Sequence, residues 1–343
     1  QTIGREVWGA IDGQKVTENR FGLGRVVWGR PLATVLPPPD FDYDRATGTN
    51  LVFTHRRDGE AEIYFVTNQG AAGATVAATF RVAGKMPELW DAETGEITKA
   101  SAYAEHDGRT TVPLHLREMG SIFVIFRRPA SPDAIVGAVR NGGSVPLTAL
   151  LQPDAGSYSL TTAAGVQLHG AVTGAAWSIP IAGPWTVRFP VETGATAPLA
   201  YSSLVSWSDS ALAPIRYFSG TANYTADFLV PPGALQGNQR VQLDLGRVEK
   251  FAGLTLNGRP LRLLWHAPYL LDVTAAVQPG QNHLEIAVTN LLVNRLIGDR
   301  QRPENERRMW STHQPYTKDS LLLPSGLLGP VQLVIRPQLT LTP

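Results

Sequence analysis

The chain has 343 residues, with 30 Lys and Arg against 29 Asp and Glu, a formal net charge of +1 and no cysteine. This balance excludes a strongly basic surface of the kind that binds nucleic acid, and the lack of cysteine excludes disulfides and thiolate metal sites. A hydrophobic content of 43% with 17% charged residues is typical of folded domains. No apolar run reaches the ~18 residues of a membrane span.

The first 43 residues are predicted to be the tail of a preceding domain followed by a proline-rich linker. Residues 15–21 and 25–29 are short strand-like runs around a glycine turn, which predicts a β-hairpin. A short helix is expected over 32–36, ended by the prolines at 37–39. Such a segment buries too little surface to fold alone. Because the chain starts at a glutamine without a leader, we expect it to be processed or cut from a longer protein.

Strand patterns of period two dominate the rest of the chain, which we divide into three β modules. Residues 44–130 carry about seven runs at the ~8–12-residue spacing of a β-sandwich. Residues 131–182 predict a small β module, and 183–343 predict eight or so antiparallel strands in a jelly-roll-like sandwich. The predicted fold class is therefore all-β, built from antiparallel β-sandwiches, with a short α/β remnant at the N-terminus.

Several common catalytic signatures are absent from the sequence. It has no G-x-S-x-G, no H-E-x-x-H and no complete dinucleotide fingerprint, and its seven histidines are not paired at metal-ligand spacing. Pairs of carboxylates, the groups that glycosidases use, are plentiful. None of them is expected to be desolvated, so we assign no catalytic residue. The groups considered are Glu60 with Glu62, Glu88 with Asp91, Glu93 and Glu96, and Glu304 with Glu306.

Three loops of the last module carry the clearest functional signal. Aromatic faces stack on the apolar side of a sugar ring, and amide, guanidinium and carboxylate groups bind its hydroxyls. The candidates for binding substrate or for lining a domain interface are Trp265, His266, Tyr269, Asn294, Arg295, Trp310, Tyr316, Lys318 and Asp319.

Three alternatives for these loops stay open. In one, they only pack against a neighbouring domain, with Arg295 paired to Asp299. In another, oxygens of Asn290, Asn294 and Asp299 hold calcium. The third is a lyase or hydrolase site around His313 and Tyr316, which requires these side chains to converge in an open groove.

The last module resembles the sugar-binding-type β-sandwich of glycoside hydrolase family 2, which is a galactose-binding-domain type of fold. The matching runs are 183–189, 217–224, 243–248, 256–258 and 288–290. A fuller set of motifs, in the same order, is similar to the C-terminal part of the α-L-rhamnosidases of family 106. These runs are 53–57, 63–68, 87–96, 294–299, 316–320 and 323–330.

The resemblance to family 106 implies a bacterial, periplasmic or secreted enzyme that hydrolyses terminal α-L-rhamnosides with inversion and with calcium assistance. Its acid and base would lie on an (α/β)8 barrel upstream, and the chain has no strand–helix series of the ~250 residues that such a barrel needs. We therefore expect a non-catalytic C-terminal part, inactive by itself, that supports the catalytic domain and contacts a rhamnosylated small molecule or oligosaccharide. The alternative is a free-standing carbohydrate-binding protein. Nucleic-acid and membrane partners are not expected.

Overall fold

The computed structural model describes residues 2–44, 49–193, 197–307, 309, 312–313 and 315–342. Its contacts form two compact units. The first consists of Gln1–Pro153, Ser157–Gly170 and Thr342–Pro343, and the second of Asp154–Gly156 and Ala171–Leu341. The division into modules at residues 44, 131 and 183 stays a prediction. None of the helices in the described ranges is long and apolar enough to cross a membrane.

The first unit begins with a helix and a hairpin. Helix α1 covers Thr2–Trp8, strands β1 and β2 cover Glu18–Phe21 and Gly24–Val27, and helix α2 covers Leu32–Val35. Strands β1 and β2 pair antiparallel, as predicted. The expected short helix is present, whereas α1 was not anticipated.

A β-sandwich follows in the first unit, and its strands lie in two antiparallel sheets. One sheet has the order β3-β6-β10-β9 and the other β4-β5-β11-β7-β8. Alternate residues of these strands point inward, and Tyr64, Phe80 and Phe126 are fully buried between the sheets. The strands are β3 Phe41–Tyr43, β4 Leu51–Asp58, β5 Ala61–Asn68, β6 Ala74–Phe80, β7 Lys85–Trp90, β8 Ile97–Lys99, β9 Ala104–His106, β10 Arg109–Leu116 and β11 Ser121–Pro129.

A smaller sheet follows the first sandwich along the chain. Its strands run in the order β13-β12-β14-β15, and a 3₁₀ turn covers Leu147–Leu150. The strands are β12 Ile135–Arg140, β13 Gly143–Val145, β14 Gly156–Thr162 and β15 Gln167–Val172.

The second unit is a larger sandwich. A six-stranded sheet has the order β18-β17-β19-β25-β22-β23, a four-stranded sheet has the order β16-β27-β20-β24, and β21 pairs with β26. Trp185, Trp207 and Tyr224 anchor its core. The strands are β16 Trp177–Pro180, β17 Trp185–Arg188, β18 Leu199–Tyr201, β19 Thr221–Val230, β20 Gln239–Asp244, β21 Arg247–Glu249, β22 Phe251–Leu256, β23 Arg259–Pro260, β24 Leu270–Asp272, β25 Gly280–Thr289, β26 Gly326–Gly329 and β27 Gln332–Pro337. The last strand in chain order, β28, covers Thr340–Thr342 and is not part of these sheets. The helices are α3 Ala213–Arg216 and α4 Val293–Asp299. The all-β prediction is confirmed.

Candidate functional site

Two of the predicted site residues, both asparagines, meet at a buried serine. The Asn290 amide nitrogen donates to the Phe218 carbonyl at 2.8 Å and to Ser325 Oγ at 3.2 Å. The Asn294 amide nitrogen donates to the Leu323 carbonyl at 2.7 Å and to Ser325 Oγ at 3.0 Å. The Asn294 oxygen in turn accepts the Leu323 N–H at 2.8 Å. These amides therefore satisfy loop backbone, which is what buried polar groups require.

The same serine belongs to a hydrogen-bond network that continues into the core. Its N–H donates to Ser206 Oγ at 2.9 Å, and its carbonyl accepts the Trp207 N–H at 3.0 Å. The Trp207 indole N–H donates to the Tyr224 hydroxyl, which also accepts the Leu327 N–H at 3.2 Å. Sequence reasoning missed this network because its members are as much as 119 positions apart. We call it, with Asn290 and Asn294, the Ser325 network.

Helix α4, which carries Asn294, was expected to be a loop. It is held close to the core because Gly298 lies directly against the ring of Tyr217. A Cβ atom at this glycine would come within 2.4 Å of Tyr217 Cγ. Any side chain there would displace the helix, so the glycine fixes where α4 sits.

Asp299 and Tyr316, two further candidates, line a very small cavity at the end of α4. Asp299 is buried, and its Oδ2 accepts the Met309 N–H at 3.0 Å. The cavity volume is about 20 Å³, room for little more than one water molecule. A sugar does not fit this cavity, so within the described part of the chain the cavity beside His313 and Tyr316 is not the open groove that a lyase or hydrolase site requires. Its lining is Leu296, Asp299, Arg300, Arg307, Met309, His313 and Tyr316.

The loop after β23 separates one exposed aromatic side chain from one buried one. Trp265 is 54% exposed and meets the His266 ring edge-on, with centroids 4.4 Å apart. Tyr269 is buried, and its hydroxyl donates to the Lys250 carbonyl. Burial raises the pKa of Tyr269, so its hydroxyl stays protonated near neutral pH. The Tyr269 hydroxyl thus holds the backbone at Lys250, whereas the exposed Trp265 is placed to contact a ligand or a partner.

The remaining candidates are distributed around these groups. Arg295 is half-buried on α4, and Lys318 and Asp319 are exposed in a turn. The Lys318 carbonyl accepts a hydrogen bond from the Gln301 amide at 2.7 Å. Trp310 lies outside the described residues.

The three residues considered for calcium have other partners. The oxygens of Asn290 and Asn294 accept backbone N–H groups, and Asp299 Oδ2 accepts the Met309 N–H. Within the described ranges, no group of three or more His, Asp or Glu side chains is arranged to hold a metal ion. Calcium takes six to eight oxygens, and this donor set does not fit it. Calcium in the longer enzyme stays a prediction.

One glutamate of the first sandwich is buried, contrary to the expectation that no carboxylate is desolvated. Glu88 is 2% exposed and accepts hydrogen bonds from the Trp90 indole at 3.0 Å and from Arg127 at 3.0 Å. Arg128 lies 2.9 Å from its other oxygen. Burial alone would raise the pKa of Glu88, but these donors outweigh it and lower the pKa below its usual value.

Glu62 is buried in a similar way. His55 lies 2.7 Å from one of its oxygens, and Arg57 Nε donates to the other at 2.8 Å. Burial opposes ionisation here too, and the hydrogen bonds from Arg57 and His55 hold the pKa of Glu62 low. Both faces of β5 carry apolar residues, so the alternation alone did not show which face is buried. The buried face is the one that carries Glu62 and Tyr64.

Glu249, in the second sandwich, is the third buried glutamate. Arg247 Nε lies 2.8 Å from one oxygen, and Lys250 Nζ lies 2.9 Å from the other. Burial again opposes ionisation, and the bonds from Lys250 and Arg247 lower the pKa of Glu249. Like the other two, it is held by basic side chains.

Comparison with known proteins agrees with the resemblance seen in the sequence. Residues 1–105 match the family model of glycoside hydrolase family 106, described as alpha-L-rhamnosidase. A rhamnosidase from Novosphingobium sp. PP1Y is similar in structure, with a TM-score of 0.73 and 35% identity, over 98% of this chain and 28% of that one. The chain is related to the family 106 α-L-rhamnosidases.

A second relative is named from another glycoside hydrolase activity. A Formosa agariphila protein named "Putative beta-glucuronidase" is 36% identical over 209 residues, which is 54% of this chain and 18% of that protein. The chain thus spans less than a third of either relative's length.

Proposed function

We propose that this chain is a non-catalytic, C-terminal part of a longer bacterial enzyme that hydrolyses terminal α-L-rhamnosides, and that it supports the catalytic domain of that enzyme. We further propose that the parent enzyme is inverting, is assisted by calcium bound elsewhere, and works in the periplasm or outside the cell. These last features rest on the resemblance alone.

The state of the carboxylates is the observation that carries the proposal. Glycoside hydrolysis needs two carboxyl groups, and the general acid must have a raised pKa so that it is protonated near neutral pH. Among the described residues, each carboxyl group whose pKa is shifted has it lowered. The three buried glutamates among these residues are each bound to two basic side chains. Such ionised carboxylates are suited to holding strands together, because near neutral pH they carry no proton to donate.

The Ser325 network supports a scaffolding role for the predicted binding loops. Amides that could have bound sugar hydroxyls instead hold the backbone near residues 218 and 323. A rigid sandwich that presents fixed loops is the usual platform for contacts to a neighbouring domain.

An activity assay on the purified chain tests the proposal. With 4-nitrophenyl α-L-rhamnopyranoside and 4-nitrophenyl β-D-glucuronide, between pH 4 and 9 and with or without calcium, we expect no release of nitrophenol above the blank. A longer protein that includes this chain should cleave the rhamnoside in the same assay. Release of nitrophenol by the purified chain alone would overturn the proposal.

The supporting role has its own measurement. Removing residues 171–341 from the longer enzyme should shorten the half-life of its rhamnosidase activity at elevated temperature, because the catalytic domain would lose a stabilising neighbour. An unchanged half-life would contradict this role.

A further inference from the structure

Arg262 is a cation without a counter-ion in the second sandwich. Its Nε and Nη1 atoms are buried and have no hydrogen-bond partner, and no ion pair involves it among the described residues. Buried donors without an acceptor are costly, and a guanidinium costs more than a neutral group. The side chain is therefore prepared for an acceptor that comes from outside these residues, and a carboxylate is the acceptor that suits a guanidinium best.

The arginine lies in a β-bulge at the edge of the six-stranded sheet. Leu264 and Ala252 exchange both backbone hydrogen bonds, at 2.8 and 2.9 Å, and the Leu261 N–H donates to the Leu254 carbonyl at 2.8 Å. Arg262 and Leu263 thus both lie opposite the single residue Gly253. Bulges of this kind turn a side chain out of the regular alternation, and they are common beside binding sites.

Exposed apolar side chains surround the bulge. Leu263 is 52% exposed, Trp265 54% and Phe251 37%. Their neighbours Ala252 and Leu264 are buried. Next to them, Gly253 pairs with Ala287, so the sheet surface there is flat. We call Phe251, Gly253, Leu263, Trp265 and Ala287 the Trp265 shelf.

The sheet beyond the shelf offers neutral polar groups and a second cation. Ala287 pairs with Asn223, and Asn223 pairs with Arg188, so both polar residues continue the same row across the sheet. In the adjacent row, the Thr221 and Thr289 hydroxyls lie 2.7 Å apart. Arg188 and Asn223 are exposed to solvent.

We propose that this face of the second sandwich binds a carbohydrate that carries a carboxylate, such as a uronic acid unit. The carboxylate of one unit would pair with Arg262, and the apolar side of its ring would lie on Trp265. Hydroxyls of further units would meet Thr289, Thr221 and Asn223, which lie two or three strands farther along the sheet at about 4.8 Å per strand. Both the flat floor and the neutral hydrogen-bonding groups favour a sugar over a polypeptide segment. This binding goes beyond the proposed function, because it requires no catalysis by any part of the enzyme.

Calorimetric titration of the full chain with tri-galacturonic acid tests the proposal. We expect saturable binding that weakens about tenfold in Arg262→Gln and in Trp265→Ala, in line with the loss of one charge-assisted hydrogen bond or one stacking surface. Arg336→Gln is the matched control, an exposed arginine on the other sheet, and should leave the dissociation constant unchanged within twofold. Thermal unfolding of each variant shows whether it is folded.

Two comparison ligands show whether binding requires the carboxylate and whether it requires the sugar. The methyl ester of tri-galacturonic acid, which lacks the charge, should bind at least about tenfold more weakly than the acid. A hexaglutamate peptide that binds as tightly as the sugar and responds equally to Arg262→Gln would overturn the proposal in favour of a polypeptide docking surface. Absence of heat at millimolar tri-galacturonic acid, or equal affinity of the wild-type chain and the two variants, would also overturn it. None of these results depends on rhamnosidase activity.

Discussion

The two sandwiches differ in the balance of the polar groups that they bury. The first holds two ionised glutamates, Glu62 and Glu88, each bound to two basic side chains. The second holds one such group, Glu249, and fixes its predicted binding loops with neutral amides and hydroxyls in the Ser325 network. Ion pairs depend on pH, whereas neutral hydrogen bonds do not over the same range. The contrast indicates that the predicted binding loops are fixed by contacts that a change of pH leaves intact.

The largest effect should come from the centre of the neutral network. Trp207→Ala removes a fully buried indole that packs on Phe189, Phe218 and Tyr224 at centroid distances of 5.3, 5.5 and 6.3 Å. We expect a loss of about 3–5 kcal/mol in the free energy of unfolding, measured by urea denaturation. Trp177→Ala, at a tryptophan that is 40% exposed, is the control and should cost less than about 1 kcal/mol. Equal losses of unfolding free energy in the two variants would show that Trp207 stabilises the fold no more than an exposed tryptophan does.

Glu88→Gln tests the ionic side of the comparison. Because its arginine partners are 41% and 54% exposed, solvent screens the pairs, and we expect a loss of about 1–2 kcal/mol at pH 7. The folded-state pKa of Glu88 lies below its ordinary value of 4.5, so its contribution is present above that value and is lost as pH falls below it. The difference in urea midpoint between wild type and variant should therefore shrink from pH 7 to pH 3. A constant difference would contradict the ionic account.

Asn294→Ala sharpens the contrast from the neutral side. It leaves the Leu323 N–H and carbonyl without their partner, and we expect a loss of about 1–2 kcal/mol. The loss measured by urea denaturation should be the same at pH 7 and pH 5. Combined with Asn290→Ala, the two losses should be non-additive, because both amides donate to Ser325 Oγ. Strict additivity would mean that the two amides act independently.

Tyr269→Phe should have the smallest effect. It removes only the hydroxyl that donates to the Lys250 carbonyl and keeps the buried ring. We expect a loss of about 1 kcal/mol in the free energy of unfolding, which thermal or urea denaturation can measure. A loss as large as that of Trp207→Ala would show that the hydroxyl does more than hold this one carbonyl.

Local patterns predicted the strands well, and they predicted contacts between distant residues poorly. The run predicted at 61–67 is β5, Ala61–Asn68, and that at 185–189 contains β17, Trp185–Arg188. Alternation and turn residues are enough to define such strands. Helix α4 was missed because seven residues that include Gly298 carry little helical signal, and its position depends on Tyr217.

The candidate site was predicted only in part. Trp265 was singled out as an aromatic residue on a loop, and it is exposed there, while its role in binding stays a prediction. Its neighbour Arg262 was passed over, because a single arginine in a strand-like run looks like ordinary surface. Only the bulge opposite Gly253 and the missing acceptor distinguish it, and both are properties of the folded chain.

The contact between Gly298 and the ring of Tyr217 limits how this part of the protein can evolve. Since no methyl group fits between them, α4 cannot slide outward or inward by small steps as neighbouring sequence changes. New specificity near this helix must come from exchanging side chains on it, such as Arg295, on a backbone that stays where it is.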